Sequence, residues 1–205
     1  TGISVAKPAF ADQWQVSVRT LGLPEAPSAD RASKPSVTPQ IMQPSPQELF
    51  AVAIAKGDIA RASEVAARAN DPGLARQLAW TLFNANRVGE AHDWFARSSA
   101  VAPSAEATYG VALAAYELKD LDAADIALAN GPPPQNDDRL KENIDQLQAR
   151  IALRRADAAM AKGDFAGVRQ YAGAAVSRSA IAVPDANSLL ALAALREAQL
   201  SFDRG

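Results

Sequence analysis

The chain has 205 residues, with 21 basic against 23 acidic side chains and a formal net charge of −2. That balance argues against nucleic acid or an anionic membrane as partner, because either selects a basic face, and the absence of cysteine excludes disulfides, thiolate metal sites and thiol nucleophiles. Hydrophobic residues make up 48% but aromatics only 6%, with alanine supplying much of the difference, so many small contacts suited to close helix packing are available and an all-α chain is expected.

The first 45 residues read as a tail. Seven of the 13 prolines fall before residue 47, at Pro8, Pro24, Pro27, Pro35, Pro39, Pro44 and Pro46, mixed with Ser, Thr and Gln. That is linker composition. Ahead of it, the stretch from Phe10 to Leu21 carries a short apolar anchor. It reads as a strand through Trp14, Val16 and Val18, or as a helix face through Phe10, Trp14, Val18 and Leu21. Either form suits docking onto the domain itself or a neighbouring protein, with Trp14 as the contact. No window approaches the roughly 18 apolar residues of a membrane span. Ala9-Phe10-Ala11 has the shape of a leader cleavage site, but Lys7 and Pro8 stand where an apolar run belongs. The start at Thr1 is read as processed or as a boundary, so a leader or anchor upstream would leave no trace.

From Ser45 the punctuation becomes regular. Ser45-Pro46-Gln47-Glu48 is a capping box with proline at the first helical position, predicting a helix to about Lys56. Asp71-Pro72, Ser104, Asp137-Asp138 and Pro184-Asp185 are further starts. Gly57, Asn70, Asn86, Lys119-Asp120, Gly131 and Gly163 are stops or turns. About nine helices follow, the longest from about Asp138 to Ala161. Along that helix Leu140, Ile144, Leu147 and Ile151 recur at three-four spacing. Arg154, Arg155 and Asp157 make its second half more polar, so it is expected to extend beyond its partner. The last helix, from Ser188 to about Phe202, is apolar on more than one face, which an outer cap should not be. A continuation of the array is the simplest explanation.

Ala55-Lys56-Gly57-Asp58 recurs intact as Ala161-Lys162-Gly163-Asp164, each time between two alanine-rich helices. Arg87-Val-Gly-Glu-Ala91 and Asp120-Leu-Asp-Ala-Ala124 occupy the equivalent place in two further pairs. With Ala75-x2-Leu78-Ala79-x2-Leu82 followed by Ala91-x3-Phe95 and Pro103, the chain resembles the tetratricopeptide repeat family. A second copy is Thr108-x2-Val111-Ala112-x2-Ala115 followed by Ala124-x3-Leu128, and Ala79 and Ala112 are 33 residues apart. Ala62-x3-Ala66 and Val168-x3-Ala172 keep only the small-residue seam. The resemblance covers residues 46–205. It implies a right-handed solenoid of antiparallel helix pairs, with Ala91 at a helix crossing and Leu78, Leu82 and Phe95 filling the space beside it.

Chemistry-bearing motifs are few. The single histidine, His92, stands beside Asp93 where the repeat expects a surface residue. There is no phosphate loop, nucleophile elbow or metal-spaced set. Asp120, Asp122, Asp125, Asp137 and Asp138 sit at helix starts, where the helix dipole accounts for them. No cofactor, no metal and no enzyme activity are expected. Under the resemblance, Arg76, Trp80 and Phe83 of one first helix and Tyr109, Leu113 and Tyr116 of the next project toward a concave face. Trp80 and Tyr109 are then partly exposed, because Leu78, Ala79 and Leu82 already form the seam. Two readings stay open: the rings line a groove, or they pack successive first helices together. Family members that hold carboxyl-terminal peptides use a basic, Asn-rich clamp, and only Arg76 stands in such a place. The implied function is a non-catalytic scaffold for a protein partner. The alternative is a module of a bacterial exopolysaccharide secretion machine, which the chain resembles in style. There the rings would contact a polysaccharide or the array would tether synthase to pore, and the location would be the periplasm.

Overall fold

The computed structural model describes residues 44–203. The chain divides into two units, Thr1–Met42 and Gln43–Gly205, and every described residue belongs to the second. The readings of the tail, Trp14 included, lie outside the described residues.

Among the described residues all regular structure is helical, with nine α-helices and one 3-10 turn. They are α1 (Pro46–Ala55), α2 (Ile59–Ala69), α3 (Pro72–Asn84), α4 (Val88–Val101), α5 (Ala105–Glu117), α6 (Leu121–Asn130), α7 (Asp138–Lys162), α8 (Phe165–Arg178) and α9 (Val183–Phe202), with Ala180–Ala182 as the 3-10 turn. The predicted capping box is present: Ser45 Oγ accepts from Glu48 N–H and Glu48 accepts from Ser45 N–H at 2.8 Å. Asp71, Ser104 and Asp137 cap α3, α5 and α7 through their side chains. Each thereby satisfies backbone donors that the first helical turn leaves without partners.

The repeat is visible in the turns. Gly57, Asn86, Lys119 and Gly163 all take positive φ, between 61° and 73°. After each, the next residue donates its N–H to a carbonyl five positions earlier, onto Ala53, Leu82, Ala115 and Ala159, at 2.9 Å in all four. This left-handed closure shields carbonyls at the helix end and reverses the chain. The duplicated Ala-Lys-Gly-Asp segment marks the two turns that use glycine. Asn86 and Lys119 make the same turn with side chains for which this backbone is less favourable.

Helices pair as α1 with α2, α3 with α4, α5 with α6 and α7 with α8, and each pair packs on the next through α2–α3, α4–α5 and α6–α7. In addition α3 touches α5, α5 touches α7 and α7 touches α9, whereas successive even helices make no comparable contact. The odd helices therefore crowd together on the inner side of a helical-repeat stack. Small residues on the even helices let each pair close: Ala62, Ala91, Ala124 and Ala172 have no exposed surface. Leu78, Leu82 and Phe95 are fully buried beside them, the places expected from the sequence.

The long helix differs from expectation. Its polar second half is the paired half: Ala149, Ala152, Ala156 and Ala159 are buried. The arginines there reach back to the preceding pair. Arg155 binds Asp122 at 2.7 Å and also Asp125, both on α6, and Arg154 reaches Tyr116 on α5. Polarity read along the sequence gave the wrong end, because arginine lays its aliphatic stem on a neighbouring helix while its head finds a partner. In α9, by contrast, the apolar excess lies at the surface. No described residue beyond Ala193 is buried, and Leu195 and Phe202 are 66% and 86% exposed.

Candidate functional site

The inner side of the stack is the face of α3, α5 and α7. On α3, Arg76 is half-buried and its Nε lies 3.0 Å from Glu106 of α5. Trp80, one turn on, packs edge-on against Phe95 of α4 with ring centroids 4.8 Å apart, and against Phe83 at 6.0 Å. Its ring lies 6.4 Å from that of Tyr109. On α5, Tyr109 and Tyr116 are 9% and 8% exposed, while Leu113 between them is half-buried.

The partial exposure expected of Trp80 and Tyr109 is found at Trp80 and not at Tyr109. Trp80 is half-buried and also leans on the seam, because it is large enough to reach Phe95 from the neighbouring face of α3. Tyr109 and Tyr116 are buried, because α3, α5 and α7 touch directly and each covers the next. The structure thus brings Arg76, Trp80, Phe83, Tyr109, Leu113 and Tyr116 onto adjoining odd helices. Tyr109 and Tyr116 serve packing, while Trp80, Phe83 and Leu113 keep part of their surface open.

Burial raises the pKa of the Tyr109 phenol above its usual value, and the charge of Arg150 on α7 opposes this. Arg150 therefore lies close to the tyrosine side of α5. One turn further along α7, the Arg154 Nε–H donates to Tyr116 Oη at 3.1 Å, and its guanidinium carbon stands 4.9 Å from the ring centre. Both arginines are exposed. Neither has a carboxylate within ion-pair distance among the described residues, in contrast to Arg76, Arg155 and Arg169. The sequence reading passed over both, taking Arg154 only as a mark of polarity. The available signal was their spacing of four, three residues past Leu147 and Ile151 respectively, which puts them at the margin of the apolar stripe.

Other features carry less chemistry. His92 is half-buried with Nδ1 3.6 Å from Asp93. A surface hollow of about 300 Å³ lies between the first half of α7 and the connection from α8 to α9, lined by Asp138, Glu142, Asp145, Arg178 and Ile181. Asp138 and Glu142 there are exposed to solvent. Among the described residues no three of His, Cys, Asp and Glu converge as metal ligands, and no helix is long and apolar enough to cross a membrane. What fold and face define together is an array of helix pairs with one crowded, arginine-edged side. No family model matches the chain, and no curated protein matches it.

Proposed function

We propose that the chain is a non-catalytic scaffold of the tetratricopeptide type, which holds a protein partner along the inner face of α3, α5 and α7. The observation that carries this reading is the asymmetry of the array. The inner face presents half-buried Phe83, Trp80 and Leu113 with arginines at its margin, and partly covered apolar side chains rimmed by charge suit a protein surface. The resemblance of residues 75–128 to two repeats supports the family assignment, as do the four matching turns. A non-catalytic role is favoured by the exposure of Asp138 and Glu142 in the hollow beside α7, since general-acid work needs a desolvated carboxyl group. The exopolysaccharide alternative draws less support: sugar stacking needs open ring faces, and Tyr109 and Tyr116 are buried.

Site-specific photo-crosslinking tests the proposal. A benzophenone side chain at Leu113 should capture a discrete partner from host extract, whereas the same group at Asp93 on α4, 84% exposed, should not. Equal capture at both positions would remove the inner face as the binding surface.

A further inference from the structure

The outward side of α9 repeats a pattern that is packed elsewhere in the chain. Ala91-x3-Phe95 on α4 and Ala124-x3-Leu128 on α6 lie inside the array, with Ala91, Phe95 and Ala124 wholly covered. α9 carries the same spacing twice, as Ala191-x3-Leu195 and Ala198-x3-Phe202, and all four of these residues are exposed. The packed side of α9 is marked by Ala186 and Ala193, both buried, and by Glu197, which pairs with Arg169 of α8 at 2.7 Å. Leu195 and Phe202 stand about half a turn round the helix from Ala193. Leu192, Leu195, Gln199 and Phe202 follow one another at steps of three and four residues, the spacing of a seam between two helices. Beside them runs a row of small side chains, Ala191, Ala194 and Ala198, and neither row holds a charge. Charge is confined to one flank, where Arg196 and Asp203 lie seven residues apart. Both are exposed, and among the described residues neither has an ion-pair partner.

We propose that this side of α9 pairs with α9 of a second copy of the chain, antiparallel, about a two-fold axis that passes between positions 199 and 200. The occupant is a second copy because the face is complementary to itself. With a rise of about 1.5 Å per residue, this register sets each Phe202 between the levels of the partner's Leu195 and the partner's Ala198. The ring then enters a gap left by a small side chain, as Phe95 does against Gly110 inside the array. The same register brings each Arg196 level with the partner's Asp203, so two ion pairs form by symmetry. A parallel pairing would instead set like charges against each other on that flank. A two-fold contact of this kind uses the same patch on both copies and closes at the dimer. It is separate from the inner-face reading above and does not depend on it.

The test uses the full chain, whose mass in solution is read by sedimentation equilibrium across a concentration series. The wild type should pass from monomer to dimer and stop there. Leu195→Ser with Phe202→Ser should weaken the dimer about tenfold or more, and because both side chains are exposed the circular dichroism spectrum should not change. Arg196→Asp should weaken it about fivefold, since the change spoils two pairs at once, and adding Asp203→Arg in the same chain should restore it. The chain has no cysteine, so single introduced thiols report the register directly. Gln199→Cys, beside the axis, should form a disulfide-linked dimer on mild oxidation. Ala191→Cys should not, because antiparallel pairing carries the two positions to opposite ends of the contact. A chain that stays monomeric at about 1 mM, or one that grows beyond the dimer as concentration rises, would overturn the proposal. So would a dimer indifferent to the Leu195 and Phe202 changes, equal crosslinking at 191 and 199, or a charge reversal at 196 that Asp203→Arg fails to rescue.

Discussion

Between α3 and α5 the seam is filled by large side chains: Leu78, Leu82 and Phe95 are fully buried, with Trp80 leaning on the Phe95 ring. Between α7 and α9 the same helix-pair plan is held largely by alanine, at Ala156, Ala159, Ala172, Ala175, Ala186 and Ala193, with Val168 the largest fully buried side chain of α8. A buried CH₂ group is worth about 0.8 kcal/mol, so each contact in the second region contributes less and more of them are needed. The two regions show that a repeat array can keep its geometry while its stability is distributed very differently along it.

The comparison is sharpest at Phe95. Phe95→Ala should cost about 3–5 kcal/mol in urea unfolding, because it empties the seam under Trp80. Val168→Ala, at the corresponding crossing of α7 and α8, should cost only about 2 kcal/mol. Equal losses would mean that the alanine-built region is no less concentrated than the other.

Gly110 measures how closely α5 approaches α4. A Cβ there would overlap the Phe95 ring, so Gly110→Ala should destabilise by about 1–3 kcal/mol even though alanine is the better helix former. Gly173 on α8, where a Cβ would meet nothing within 4 Å, provides the contrast: there alanine should be neutral or stabilising by up to about 1 kcal/mol. A destabilised Gly173→Ala would show that the second region is packed as tightly as the first.

Tyr109 lies on the boundary between the regions, under the influence of Arg150. Its folded-state pKa is raised above the ordinary value of 10.0 by burial. The folded state therefore holds the proton more firmly than the unfolded chain, and this contribution is complete below pH 10 and lost as pH rises through the raised folded value. Alkaline unfolding should begin later in Tyr109→Phe than in wild type. Arg150→Gln, which removes the opposing charge, should move the tyrosinate absorbance change to higher pH. An unchanged titration in Arg150→Gln would separate that arginine from α5.

The smallest effect is expected at Asn143 on α7, whose side-chain Nδ2 is buried without a hydrogen-bond partner among the described residues. Asn143→Leu relieves an unmet donor beside Ile144 and Leu147, and chemical unfolding should find it neutral or slightly more stable. A clear loss of stability would point to an acceptor for that amide.

The helices and their order were legible in the sequence because their causes are local. Ser45, Asp71, Ser104 and Asp137 announce helix starts through side chains that satisfy their own first turns, and glycine at 57 and 163 announces ends by its tolerance of positive φ. The seam at Leu78, Leu82, Ala91 and Phe95 was legible as well, since two helices with matched small and large residues have one good way to pack. What local pattern could not convey was how much of an inner helix its neighbours cover. The burial of Tyr109 and Tyr116, the reach of Trp80 to Phe95, and the pairing of Arg155 with Asp122 while Arg154 turns to Tyr116 all depend on residues 15 to 38 positions away. Periodicity specifies which face of a helix turns inward, but only the tertiary stack decides whether that face meets a neighbour or remains open to a partner.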